Sequence, residues 1–179
     1  AEEVYVQMDK NTAASEQDQD YAKRLTQLIF DGTVHYWEEN APPAYNLRMR
    51  LTENYLIYFS YLREGISDNY EFCRAERAIE RAATVCSQSS KILANILARN
   101  DIPAHIVGLE GHVVTRALID KASDTWWILD ADYGVVIEHD IGDIESNPQL
   151  IREAYAAQGY RENFIDTLVG IYDPEDNQT

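Results

Sequence analysis

Three residue types that together perform nucleophilic catalysis occur in order along the middle of the chain. Cys86 opens an amphipathic segment, His112 follows a glycine at the start of an apolar segment, and Asp130 closes a segment that begins with two tryptophans. A thiol, an imidazole and a carboxylate are the parts of a nucleophile, its base and the group that orients the base. Cys86, His112 and Asp130 are therefore the candidate catalytic residues.

The position of Cys86 favours a reactive thiol. Apolar residues at helical spacing predict a helix from Cys86 to about Arg99 that lies on a core. A cysteine in the first turn lies at the positive end of the helix dipole, which favours the thiolate, and the first-turn amides can stabilise an oxyanion. Residues 87–90 around it are polar, whereas a buried structural thiol normally has apolar neighbours.

The segments that follow this helix predict an antiparallel sheet. Four apolar runs separated by short turns indicate strands at residues 102–109, 112–119, 125–130 and 135–138. Pairing across the polar turn at 120–124 would leave His112 and Asp130 at the same open end, within three residues of register. Asp132 lies two positions after Asp130, so periodicity alone does not choose between the two acids.

The flanking segments are predicted to be mainly helical. Helices are expected at residues 15–30, 47–63, 72–83 and 147–158, and the segment 163–172 could be a helix or a strand. The aromatic side chains of the second helix suggest either core packing, which we favour, or a carbohydrate-stacking surface.

The central residues carry a resemblance to a known family. Cys86 is followed by the run Asn100-Asp101-Ile102-Pro103-Ala104-His105-Ile106-Val107, then by Gly111-His112-Val113-Val114, then by Trp126-Trp127-Ile128-Leu129-Asp130. This order resembles the core of the transglutaminase-like superfamily, over about 45 residues. The resemblance assigns Cys86 as nucleophile, His112 as base and Asp130 as orienting acid, with Asp130 preferred over Asp132 because Trp126 stands four residues before it.

The resemblance implies an α+β, papain-like fold with helices packed on an antiparallel β-sheet. It also implies amide or peptide hydrolysis, or acyl transfer, through a thioester at Cys86, with a protein or peptide as substrate. Most small bacterial members are thought to be hydrolases or proteases, so hydrolysis is favoured over cross-linking. The mechanism requires no metal and no other cofactor.

Two alternatives to an enzyme remain open at this point. The chain could be a transglutaminase-like binding module for a peptide or glycan that has lost catalysis. Alternatively, Cys73 and Cys86 could form a disulfide and serve only stability.

Length and charge limit the remaining possibilities. The 179 residues suit one domain (1–179), with a core at 84–140, helical N-terminal support at 12–83 and a C-terminal helix and tail at 147–179. A net charge of -16 argues against nucleic acid or an anionic membrane as partner, because phosphates would be repelled. No apolar stretch is long enough for membrane insertion. Acid-rich segments at 140–145 and 173–176 lack an EF-hand pattern, so calcium is not expected.

The compartment and the oligomeric state are not determined by the sequence. The chain begins at Ala1 rather than at a methionine. We therefore expect either an exported protein whose signal peptide has been removed or a chain trimmed at its start.

Overall fold

The fold combines helices with a four-stranded antiparallel sheet, as the sequence predicts for the α+β class. The computed structural model describes residues 8–11, 16–35, 50–60 and 72–172. The helices in this part of the chain are α1 (Asp18–Gly32), α2 (Tyr55–Ser60), α3 (Ala75–Arg81), α4 (Cys86–Arg99), α5 (Ile141–Ser146), α6 (Gln149–Ala157) and α7 (Glu162–Ile171). The strands are β1 (Val34–His35), β2 (Ala83–Thr84), β3 (Ala104–Leu109), β4 (His112–Asp120), β5 (Thr125–Asp130) and β6 (Val135–Ile137).

The sheet is a meander in the order β3-β4-β5-β6, and every neighbouring pair is antiparallel. The turn between β3 and β4 contains Gly111 at φ +73, a left-handed conformation that glycine adopts without steric cost. Leu109 pairs with His112 across this turn, so the turn fixes where β4 begins. His112 is consequently the first residue of a central strand.

Helix α4 packs one face of the sheet, as its apolar stripe predicts. Ile92, Leu93, Ile96 and Leu97 are fully buried. They share a hydrophobic cluster with residues of β4, β5 and α1, which include Ala117, Ile119, Trp127, Leu129, Leu25 and Ile29. Because successive strand residues point to opposite faces, the alternate residues of β4 and β5 face away from α4.

The opposite face of the sheet is covered by the C-terminal helices. Val114 of β4 and Ile128 of β5 belong to a second cluster with Ile151, Ile165 and Leu168. The segment at 163–172, for which the sequence left helix and strand open, is helical as α7. The sheet therefore lies between α4 on one side and α5–α7 on the other.

A second, very short sheet joins the N-terminal part of the chain to the start of α4. Strand β1 pairs with β2 in parallel, with Val34 opposite Ala83 and His35 opposite Thr84. Ala83 was predicted to end a helix at 72–83, but α3 ends at Arg81 and Ala82 adopts a left-handed conformation at φ 49. After this change of direction the chain continues as β2, and the next helix, α4, begins at Cys86.

The prediction of a helix from residue 47 is wrong within the described residues. Residues 51–53 form a turn, and α2 begins only at Tyr55; residues 47–49 and 61–63 lie outside the described part. The favoured assignment of its aromatic side chains to buried or half-buried core positions is wrong for Tyr55, which is 58% exposed, whereas Ile57 of the same helix packs against the core. The turn at residues 51–53 is accompanied by two contacts of Glu53, whose carboxylate accepts from the Arg50 backbone N–H, at 2.8 Å, and from the Arg81 guanidinium.

The edges of the other predicted elements shift by small amounts. Strand β3 begins at Ala104 rather than at residue 102, because the Ile102 backbone N–H donates to the carbonyl of Leu97 at the end of α4, at 3.0 Å. None of the described helices is long and apolar enough to cross a membrane.

Candidate functional site

Cys86 is the first residue of α4, as the sequence predicts. Its side chain is half-buried, whereas Cys73 is exposed, and both thiols are free. The structure thus contradicts the alternative of a Cys73–Cys86 disulfide. The backbone N–H groups of Gln88 and Ser89 both donate to the carbonyl of Val85, so the Cys86 N–H precedes the hydrogen-bond ladder of the helix. An amide in that position is available to an anionic group beside the thiol.

The polar residues that follow Cys86 hold the helix in place. Ser89 and Ser90 are fully buried. The Ser89 hydroxyl donates to Oγ1 of Thr84 at 2.9 Å, and the Ser90 hydroxyl donates to the carbonyl of Val113 at 2.8 Å. Thr115 of β4 donates in turn to the carbonyl of Ser90 at 3.0 Å. These contacts fix the start of α4 against β2 and β4, which is why polar groups occur beside the thiol in a buried setting.

His112 lies between the thiol and the acid. Its side chain is 5% exposed, and Nε2 lies 2.7 Å from Oδ2 of Asp130. The Cys86 side chain lies close enough to the ring to contribute to the raised pKa of His112. Since Nε2 is engaged by Asp130, Nδ1 is the ring nitrogen left for the thiol. Cys86, His112 and Asp130 are therefore brought together in the predicted order.

The hairpin register explains how His112 reaches Asp130. Thr115 pairs with Leu129, which places Val114 opposite Asp130 and His112 two residues further along. Positions 112 and 114 share a face of β4, so the imidazole projects on the same side of the sheet as the Asp130 carboxylate. The offset of two residues lies within the predicted range.

Asp130 is fully buried and each of its carboxylate oxygens accepts hydrogen bonds. Oδ1 accepts from the backbone N–H groups of Asp132 at 3.0 Å and Tyr133 at 3.3 Å. Oδ2 accepts from the Tyr155 hydroxyl at 2.5 Å and contacts His112. A buried charge requires such partners, and this set fixes the orientation of the carboxylate.

The site favours a protonated imidazole. Burial of the ring acts against its charge, but the hydrogen bond to Asp130, the interaction with Cys86 and the negative charges of Asp130 and Asp132 raise the pKa of His112 from 6.5 to about 10. The ring is therefore an imidazolium at neutral pH. An imidazolium beside a half-buried cysteine is an arrangement that nucleophilic cysteines use.

Asp132, the acid that sequence periodicity could not separate from Asp130, lies beside a different histidine. Its Oδ2 lies 3.1 Å from Nε2 of His35, and its side chain is 2% exposed. In a strand, residues two positions apart point to the same face, which is why the sequence could not separate the two acids. Strand β5 ends at Asp130, so this alternation of side chains does not extend to Asp132. The structure thus assigns Asp130 to His112 and Asp132 to His35.

Three residues of the site were not found from the sequence. Tyr155 occupies an apolar position of an amphipathic helix, which indicates only a core residue. The Tyr133 ring lies 5.3 Å from the His112 ring between centroids, and His35 lies in a two-residue strand without periodicity. The sequence feature that could have indicated Tyr133 is the polar segment at residues 130–133, which directly follows a buried strand.

No metal site accompanies these residues in the described part of the chain. Within it, no group of three or more His, Cys, Asp or Glu side chains is placed to hold a metal ion. Asp140, in one of the acid-rich segments, begins α5 and pairs with Arg116 through both carboxylate oxygens. The other such segment, 173–176, lies outside the described residues.

Comparisons with protein-family models, with curated proteins and with solved structures found no match for this chain.

Proposed function

We propose that this protein is a transglutaminase-like cysteine hydrolase with a papain-like core, which cleaves an amide or peptide bond through a thioester at Cys86. The observation that carries the proposal is the 2.7 Å contact of His112 with the buried carboxylate of Asp130, beside a half-buried Cys86 whose side chain acts on the pKa of His112. A buried imidazole held between a half-buried thiol and a carboxylate has the roles of a nucleophilic triad.

The first half of the reaction forms the thioester. The Cys86 thiolate attacks the carbonyl carbon of the scissile amide, and the negative charge that develops on the oxygen lies near the first-turn amides of α4. The His112 imidazolium then donates its proton to the amide nitrogen, the C–N bond breaks, and the amine leaves. Cys86 carries the acyl group and His112 is neutral.

The second half of the reaction restores the thiol. Neutral His112 accepts a proton from water, the resulting hydroxide attacks the thioester carbonyl, and the C–S bond breaks to release a carboxylic acid. The thiolate and the imidazolium are then regenerated. Asp130 keeps Nε2 directed to itself and Nδ1 to the thiol throughout, so the proton is always exchanged at the same nitrogen.

An inactive binding module for a peptide or glycan is the second candidate, and one observation favours it. Apolar side chains around α2 are exposed to solvent; Leu51 is 48%, Leu56 67% and Phe59 54% exposed. Exposed apolar side chains that form a contiguous patch are typical of an interaction surface. Such a module would keep the fold without requiring a reactive Cys86.

Thiol alkylation separates the two candidates, and Cys73 provides an internal control. If Cys86 is the nucleophile, iodoacetamide modifies it at mildly acidic pH, ahead of Cys73, and His112→Ala slows that modification sharply. Peptide mass spectrometry measures both sites in the same sample. Equal modification of both thiols only above about pH 8, unchanged by His112→Ala, would rule out the hydrolase and favour the binding module.

A further inference from the structure

The site contains a second histidine–aspartate contact that the steps of acyl transfer do not use. Nε2 of His35 lies 3.1 Å from Oδ2 of Asp132, in a contact whose geometry is that of an ion pair rather than of an aligned hydrogen bond. The side chains are 16% and 2% exposed. A carboxylate buried to this degree needs a polar partner close by, and the His35 ring attracts it when Nε2 carries a proton.

His35 belongs to β1, which pairs with the strand that leads into Cys86. His35 lies opposite Thr84 in the β1–β2 pair, and Thr84 is two residues before Cys86 in the sequence. Oγ1 of Thr84 accepts from Ser89 in the first turn of α4 and donates to Oγ1 of Thr33 at 3.2 Å. A shift of β1 is therefore transmitted to the start of α4.

Asp132 belongs to the part of the fold that holds the acid. Its backbone N–H donates to Oδ1 of Asp130 at 3.0 Å, so the two residues form one turn at the end of β5. A shift of Asp132 removes one of the donors that orient Asp130. The negative charge of Asp132 also contributes to the raised pKa of His112.

We propose that His35 and Asp132 are a positioning pair that keeps the strand leading into Cys86 at a fixed distance from the turn that carries Asp130. Two other contacts already join the parts of the site: Ser90 with Val113 between α4 and β4, and His112 with Asp130 between β4 and β5. The contact of His35 with Asp132 adds a third connection, between β1 and the turn that follows β5. This inference rests on the proposed function, because it assigns the pair a role in aligning that triad.

Three single variants, one double variant and one control test the pair. His35→Phe keeps a flat ring but removes the contact, His35→Gln keeps a side-chain N–H donor, and Asp132→Asn removes the charge at constant shape. The matched control is His139→Phe, because His139 makes a similar contact with Asp143, at 3.8 Å, with side chains that are 47% and 64% exposed. Circular dichroism shows whether each variant folds.

The first readout is the rate at which iodoacetamide modifies Cys86 relative to Cys73. We expect His35→Phe and Asp132→Asn to slow the modification of Cys86 between about tenfold and 10²-fold, since misplacement by about 1 Å has effects of this size. His35→Gln, which keeps an N–H donor but cannot carry a charge, should recover part of the rate, and the His35→Phe/Asp132→Asn double variant should be no slower than the slower single variant. His139→Phe should behave as the wild type. Wild-type rates in His35→Phe would overturn the inference.

The second readout does not depend on a reactive thiol, so it separates failure of the inference from failure of the proposed function. In ¹⁵N-histidine-labelled protein, the ring N–H of His112 that contacts Asp130 should give a sharp, slowly exchanging proton signal in the wild type and in His139→Phe. His35→Phe should broaden or abolish that signal. If Cys86 of the wild type is unreactive but this result holds, the proposed function fails and the positioning role stands. An unchanged signal in His35→Phe would overturn the positioning role whatever the thiol does.

Discussion

The Tyr155 hydroxyl donates a hydrogen bond of 2.5 Å to Oδ2 of Asp130, the same oxygen that lies 2.7 Å from Nε2 of His112. Tyr155 belongs to α6, which covers the face of the sheet opposite to α4, so the triad is held from both sides of the sheet. Burial and the nearby Asp130 carboxylate hold the pKa of Tyr155 well above its usual value. The hydroxyl therefore keeps its proton and acts as the donor.

Tyr155→Phe should destabilise the protein by about 1.5–3 kcal/mol, the size of a hydrogen bond to a charged group. The control is Tyr172→Phe, since the Tyr172 hydroxyl lies 3.4 Å from the Tyr155 hydroxyl and both residues are buried. Urea denaturation of the two variants measures the difference. A loss of stability at Tyr172→Phe as large as that at Tyr155→Phe would mean that the hydrogen bond to Asp130 does not stabilise the fold more than the contact between the two hydroxyls.

Asp130→Asn should reduce acyl transfer far more than Asp132→Asn. An amide at position 130 no longer selects the His112 tautomer needed for proton transfer, and in a serine protease the corresponding change lowers the rate by about 10⁴-fold. At position 132 the change acts on positioning and on the charge near His112, and it leaves the contact of His112 with Asp130 in place. The rate of acylation by p-nitrophenyl acetate compares the two variants. Equal losses, or a larger loss for Asp132→Asn, would contradict the assignment of Asp130 as the acid that orients His112.

The proton on His112 should stabilise the folded state at low pH. Because the folded pKa of about 10 lies above the ordinary value of 6.5, this contribution is complete below pH 6.5 and is lost as the pH rises through 10. The difference in unfolding free energy between wild type and His112→Gln, measured in urea across this range, should therefore fall with rising pH. A difference that stays constant or grows would contradict a protonated His112.

Leu93→Ala or Ile96→Ala should lose about 2–5 kcal/mol of stability, because each removes a fully buried side chain between α4 and the sheet. Leu56→Ala is the control, since Leu56 is 67% exposed and its truncation should change stability by less than about 0.5 kcal/mol. Chemical denaturation of the three variants is sufficient. Losses under about 1 kcal/mol at both core positions would show that this face of α4 is not packed.

Much of the site could be predicted because its parts are encoded locally. The apolar stripe and the polar first turn place the start of α4 at Cys86, and short turns between apolar runs predict the hairpin that brings His112 near Asp130. Register within that hairpin depends on a few neighbouring residues, so it can be inferred without knowledge of the rest of the fold.

The remaining residues could not be predicted because they reach the site through distant segments. Tyr155 comes from a helix 25 residues after Asp130, and His35 comes from a two-residue strand that pairs, within the described part of the chain, with β2. The helix expected from residue 47 failed for a similar reason. Glu53 pairs with Arg81, 28 residues away, and this tertiary contact accompanies a turn where local periodicity indicated a helix.

The most direct test of Cys86 as an acyl-accepting nucleophile is a burst experiment with p-nitrophenyl acetate. The wild type should release one equivalent of p-nitrophenolate rapidly and carry an acetyl group on Cys86 by peptide mass spectrometry. Cys86→Ala should show neither the burst nor the adduct, His112→Ala should acylate at least about 10²-fold more slowly, and Cys73→Ala should match the wild type. A wild-type protein without a burst, or a burst of equal size in Cys86→Ala, would contradict the assignment of Cys86 as the nucleophile.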